Sequence, residues 1–156
     1  MRQYMCIMTI NPISFIDIHH DLKGLIIKSI HEHLAKTSRQ TLDNIHYVTI
    51  RIKDSQYKAE LGGLRPVEIA LKRRGVHQWE LAYISVYGYL TTQSIALIRW
   101  LDFDFQSGKC LLTPKGDWQK MEDNPRAIKL YQQWEGAFLN AMSDNQFDDI
   151  KVMLIG

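Results

Sequence analysis

Between Ile45 and Phe105 the apolar residues recur at every second position, and a period of two dictates strands rather than helices. In "IHYVTIRIKD", Val48, Ile50 and Ile52 alternate with Tyr47, Thr49, Arg51 and Lys53, as in a strand with one dry and one wet face. "RPVEIALKRR" repeats the pattern, with Val67, Ile69 and Leu71 inward and Glu68 and Lys72 outward. "HQWELAYISVYGYL" is apolar at both parities, with Trp79, Leu81 and Tyr83 on one side and Ala82, Ile84 and Val86 on the other. It reads as a central strand covered on both faces. "IALIRWLDFDF" and "KCLLT" supply two further strands, with Ser107-Gly108 as the turn between them.

Helices bracket this strand-rich middle. Ser14 and Asp17 form an S-x-x-D capping box. Phe15, Ile18, Leu22, Leu25, Ile26, Ile30 and Leu34 then follow the three-and-four spacing of an amphipathic helix near residues 15–36, which "KTSRQ" ends. Asn124 as a cap and Pro125 in the first turn start a second helix near 125–142, with Ala127, Ile128, Tyr131, Trp134, Phe138 and Met142 as its apolar stripe. "DDIKVMLIG" is a last strand. The order specifies an α+β fold: a twisted, mostly antiparallel sheet of six or seven strands flanked by N- and C-terminal helices. A chain of 156 residues suits a single domain, 1–156.

Gly62-Gly63 invites a phosphate-binding reading that its context refuses. A phosphate loop needs G-x-x-x-x-G-K-[ST] opening a helix, whereas here Leu64-Arg65-Pro66 leads into a strand. G-x-G-x-x-G is absent too, so the pair is read as a turn between antiparallel strands. Asp54, Tyr57, Ala59-Glu60, Gly62-Gly63, Pro66-Val67-Glu68-Ile69, Trp79, Tyr83-Ile84 and Leu101-Asp102-Phe103-Asp104-Phe105 together resemble an uncharacterised bacterial family catalogued as a domain of unknown function. The resemblance spans about residues 45–145. It implies a fold similar to the mitochondrial acidic matrix protein that binds complement globular heads, a twisted antiparallel sheet with terminal helices that assembles as a ring-shaped trimer. It brings no catalytic residues. The net charge of +2 and the short length depart from that acidic protein.

Charge is unevenly placed along the chain. Seven basic residues face three acidic ones between Arg51 and Arg74, and nine acidic face six basic from Leu101 onward. The molecule is therefore expected to be dipolar. Cys6 and Cys110 fit no metal or redox spacing and read as buried thiols of a reducing cytoplasm. "MCIMTI" is too short for a signal-peptide core, and no window reaches the roughly 18 apolar residues of a membrane helix.

Candidate chemistry is sparse. Asp102 and Asp104 project from one strand face, roughly 7 Å apart, and would share a divalent cation if Glu68 or Glu80 came alongside, or act on a sugar as an acid–base pair. The plainer reading is a solvated face above Phe103 and Phe105. His31 and His33 lie two apart on a helix, and His19 and His20 are adjacent, so neither pair is expected to chelate. No nucleophile signature is present, and nothing calls for a cofactor. Trp118 in "KGDWQK" is read as half-exposed, either in a self-association surface or folded back over the sheet.

These features do not specify a reaction, and the expectation they lead to is a non-enzymatic, cytoplasmic protein-interaction module that self-associates. Arg51, Lys53, Arg65 and Arg73 form the expected binding face, for an acidic protein partner. Weak single-stranded nucleic-acid binding by the same face is the first alternative, since cations there mix with Tyr47 and Tyr57. A metal-dependent enzyme using Asp102 and Asp104 is the second.

Overall fold

The structure, a computed structural model, describes residues 8–37 and 41–156. Strand β1 (Thr9–Ile10) precedes helix α1 (His20–Lys36), and β2 (Tyr47–Lys53), β3 (Val67–Arg73) and β4 (Gln78–Gly88) follow. Then come β5 (Ile98–Asp104), β6 (Lys109–Leu111), β7 (Trp118–Lys120), α2 (Pro125–Ser143) and β8 (Asp149–Ile155). The strands lie in one sheet in the order β7-β6-β5-β4-β3-β2-β8, antiparallel throughout. Strand β5 pairs with β4 only from Tyr83 to Gly88. Strand β1 pairs in parallel with Gln78 and Trp79 at the other end of β4. The α+β expectation stands, with β1 and β7 as additional strands of two and three residues.

Alternation along β2 and β3 places Val48, Ile50, Ile52, Val67, Ile69 and Leu71 in one buried layer. Strand β4 departs from the expected two-faced burial. Leu71 pairs with Leu81 and Ala70 with Tyr83, so a bulge at Ala82 shifts the register. Trp79 and Leu81 before the bulge thus share the inner face with Ile84 and Val86 after it. Tyr83, Ser85 and Tyr87 face outward. Its doubled apolar pattern is a phase change, not two buried faces.

Both helices pack on the inner face, where Leu22, Ile26, Ile30 and Leu34 of α1 join the sheet core. Tyr131 of α2 meets Phe103 of β5 edge-on at 5.1 Å. Helix α2 begins as its sequence indicates, with the Asn124 side chain accepting from the Ala127 amide at 3.1 Å. Helix α1 begins five residues later than the Ser14–Asp17 signature implies. Residues 13 and 16 form an isolated bridge, and His19 is the cap, its Nδ1 accepting from the Asp21 amide at 3.0 Å. Buried Glu135 then couples the helices, since its Oε2 accepts from the His19 amide at 3.0 Å and from the Tyr131 hydroxyl at 2.8 Å.

Gly62 and Gly63 turn the chain, with φ of 71° and 123°. The Gly62 amide donates to the Lys58 carbonyl at 2.8 Å. A Cβ on Gly63 would sit 3.2 Å from Asp54 Oδ2, so the carboxylate that caps this loop needs the glycine.

Candidate functional site

The outer face of the sheet is polar because its register aligns polar residues in rows. Lys151, Arg51, Glu68, Ser85 and Asp102 stand opposite one another across β8, β2, β3, β4 and β5. Met153, Thr49, Ala70, Tyr83 and Asp104 form the next row. Arg51 Nε donates to Glu68 Oε1 at 3.2 Å, and the Tyr83 hydroxyl donates to Glu68 Oε2 in a short contact. Ser85 Oγ donates to Asp102 Oδ2 at 2.5 Å, and Arg99 Nε lies 3.1 Å from the same oxygen. Asp102 is 3% exposed. Burial raises its pKa, against the lowering influence of Ser85 and Arg99. Burial and the Glu68 carboxylate together raise that of Tyr83.

These partners bear on the Asp102–Asp104 reading. Asp104 Oδ1 accepts from the Gln106 and Ser107 amides at 3.1 and 3.2 Å, which makes it the cap of the β5–β6 turn. The carboxylates expected to complete a cation site are also engaged: Glu68 by Arg51 and Tyr83, Glu80 by Arg74 at 2.9 and 3.0 Å.

Of the four expected binding cations, the structure brings two together. Arg51 and Lys53 line a recess of about 310 Å³ on the outer face with Pro66, Glu68, Tyr87 and Leu97. Leu97 comes from the β4–β5 connection, which is pinned by Tyr89 stacking on Tyr57 at 5.4 Å and by the Tyr89 amide donating to the Tyr57 hydroxyl. Arg65 and Arg73 lie apart from this recess. Arg73 ends β3 with the parity of Val67, Ile69 and Leu71 and is half-buried, whereas Arg65 precedes β3 and is exposed. Arg65 lies over Trp100 at 3.9 Å, where a Cβ on Gly88 would be 2.7 Å from the indole. Arg73 lies over buried Trp79 at 4.6 Å and donates to the carbonyls of Leu42, Ile45, Gly75 and Val76 at 2.6 to 3.2 Å. Its role is to fasten two loops to β3. On the outer face the pairs Arg51–Glu68, Arg74–Glu80 and Arg99–Asp102 interleave both signs of charge.

The histidine expectation needs one correction. His19, as a cap, has extended backbone (φ −61°, ψ 140°), so its ring stacks on that of His20 at 4.3 Å. Ligand atoms of His19, His20 and Asp21 lie within 4.8 Å of one another. All three are exposed, one imidazole nitrogen serves the cap bond, and the helix N-terminus opposes a cation. Cys110 is a buried free thiol, while Cys6 lies outside the described residues. Trp118, on β7, is 46% exposed.

An open antiparallel sheet with two helices on one face and an ion-paired, hydroxyl-rich outer surface defines the class: a small α+β scaffold. Residues 25–153 match the family described as "Protein of unknown function (DUF2787)", and the chain belongs to that family. It is similar to the conserved hypothetical protein VC1805 from pathogenicity island VPI-2 of Vibrio cholerae, with 34% identity over 93% of this chain and 100% of that one and a TM-score of 0.78. That relative is described as sharing structural homology with the human P32 protein. The hypothetical protein VC0508 from the VSP-II pathogenicity island of Vibrio cholerae is 28% identical over 94% of this chain and 99% of that one, with a TM-score of 0.83. No curated protein matches the sequence. The family resemblance read from the sequence is thus confirmed, and so is the P32-like architecture it implied.

Proposed function

We propose that the protein is a non-enzymatic protein-interaction module, cytoplasmic and self-associating, whose outer sheet face holds an acidic partner at Arg51 and Lys53. The observation that carries this reading is the recess beside these two cations, about 310 Å³ and lined also by Pro66, Tyr87 and Leu97. That volume lies at the bottom of the small-molecule range of roughly 300–1,000 Å³ and suits one anchoring side chain. The rim supplies Arg51 and Lys53 against Glu68, with Lys151 opposite Arg51 and Asp149 opposite Lys53 on neighbouring β8. An acidic residue flanking an apolar anchor meets both features. Structural homology of a relative to P32 supports a protein partner, and buried Cys110 is at home in a reducing compartment. Among the described residues no helix is long and apolar enough to cross a membrane.

Fluorescence anisotropy with a labelled acidic, aromatic-containing peptide and with a single-stranded oligonucleotide tests the reading. The peptide should bind, and the double variant Arg51→Glu, Lys53→Glu should weaken it at least ~10-fold. Unchanged peptide affinity in that variant sinks the assignment. Tight oligonucleotide binding that falls steeply with log[salt] would instead favour nucleic acid on the same face.

A further inference from the structure

We propose that the free edge of β8 pairs with β8 of a second copy of this chain, antiparallel about a two-fold axis through Val152. Strand β8 ends the sheet, so one side of its backbone has no strand neighbour among the described residues. The ladder shows which groups those are. The Tyr87 amide donates to the Pro66 carbonyl and the Arg73 amide to the His46 carbonyl, so even residues of β3 face β4 and even residues of β2 face β3. Odd residues of β2 therefore face β8, where they pair with 149, 151, 153 and 155. Ile150, Val152 and Leu154 are left presenting their amides and carbonyls to the open edge.

Such an edge is usually blunted by charged side chains, above all lysine, or by proline, a bulge or shortness. Lys151 is the one cation of β8, and its side chain stands on the outer face opposite Arg51. The edge runs seven residues, "DIKVMLI", without proline, and Ile150, Met153 and Ile155 are 46%, 47% and 44% exposed. Beside it runs a groove of about 460 Å³ between Ile150 and Val152 on one wall and Ser29, Glu32 and His33 of α1 on the other. A strand added to β8 would run along that groove, main chain to main chain.

The edge is complementary to itself, as an isologous interface requires. With the axis on Val152, Ile150 stands opposite Leu154 of the second copy and Val152 opposite its own counterpart. All these inner-row side chains are apolar, and every free backbone group finds a partner. Moving the axis to Lys151 would place the two lysines face to face, which is repulsive. Moving it to Ile150 would leave Leu154 unpaired and call on Asp148, whose amide already donates to Lys53 and whose carboxylate accepts from Ser55. The Val152 register uses the whole strand. It engages a surface distinct from the outer-face recess.

Sedimentation velocity over a concentration series, with amide hydrogen exchange by NMR on the same samples, tests the pairing. A dimer is expected in which the Ile150, Val152 and Leu154 amides gain protection as concentration rises, while Lys151 and Met153, bonded to β2, are already protected. Ile150→Lys should raise the dissociation constant at least ~100-fold, one charge being placed in the junction by each copy. A monomer at every concentration overturns the proposal. So does an oligomer in which those three amides exchange at the monomer rate, or one that binds through Trp118 or captures a different strand. Should Ile150→Lys fail to fold, exchange in the unmodified chain decides alone.

Discussion

Asp102 sits where a carboxylate is costly. It is 3% exposed, with Ser85 and Arg99 as its partners, and burial outweighs both in raising its pKa above the ordinary 3.8. A carboxyl whose pKa rises on folding holds its proton more tightly in the native state. Its contribution to stability is therefore full below 3.8 and is lost as pH climbs through the raised value. Asp102→Asn, uncharged at every pH, should gain relative to the unmodified chain as pH rises through that window, as urea titrations at stepped pH would show. A difference independent of pH would mean that Asp102 titrates as in the unfolded chain. Arg73 makes the opposite case, a cation held by four carbonyls. Lysine cannot reproduce its planar fork, so Arg73→Lys should cost at least ~2 kcal/mol by chemical denaturation. Arg51→Lys, on the exposed face, should stay within ~0.5 kcal/mol. Equal losses would return Arg73 to the binding face.

At the level of elements, legibility followed period and length. Helix α2 announces itself through Asn124, Pro125 and a stripe that includes Ala127, Tyr131 and Phe138, and it folds within a residue of the expected bounds. Strands β2 and β3 are equally plain, seven residues each, with strict alternation in β2 and a single break at buried Ala70 in β3. That alternation already contained the inward placement of Arg73, which shares the parity of Val67 and Ile69. Strand β4 was opaque for a different reason. A bulge at Ala82 is set by pairing with β3, and one strand's sequence cannot reveal a partner's register. Strands β1 and β7 are too short to establish any period. At α1, the Ser14–Asp17 spacing mimicked a cap, whereas the bond that starts the helix is an imidazole one, reinforced by Glu135 from 116 residues away. Nor could sequence pair Ser85 with Asp102, since their contact exists only once β4 and β5 are in register.

Across the whole molecule, burial falls from the sheet's centre to its edges. Ile69, Ala70 and Leu71 of β3 are 0% exposed, whereas among the strand residues of β8 only Val152, at 8%, is buried. Strand β8 also joins β2 across the longest span in the sheet, pairing Tyr47 with Ile155. Such a strand gives up little apolar contact when it detaches, so its opening free energy should lie well below that of global unfolding. Strand β2 records the difference because its amides alternate in partner. Val48, Ile50 and Ile52 bond toward β3, while Thr49 and Arg51 bond toward β8. Native-state hydrogen exchange under rising denaturant, run on the Ile150→Lys chain to keep it monomeric, should therefore split neighbouring residues of one strand. Thr49 and Arg51 should exchange through a low-energy opening with a small denaturant dependence, and Val48 and Ile50 only with global unfolding. In the unmodified dimer β8 becomes an interior strand, and the gap between the two sets should narrow. Uniform protection along β2 in the monomeric variant would show that β8 is held as firmly as β3, and the edge would then be no softer than the core it borders.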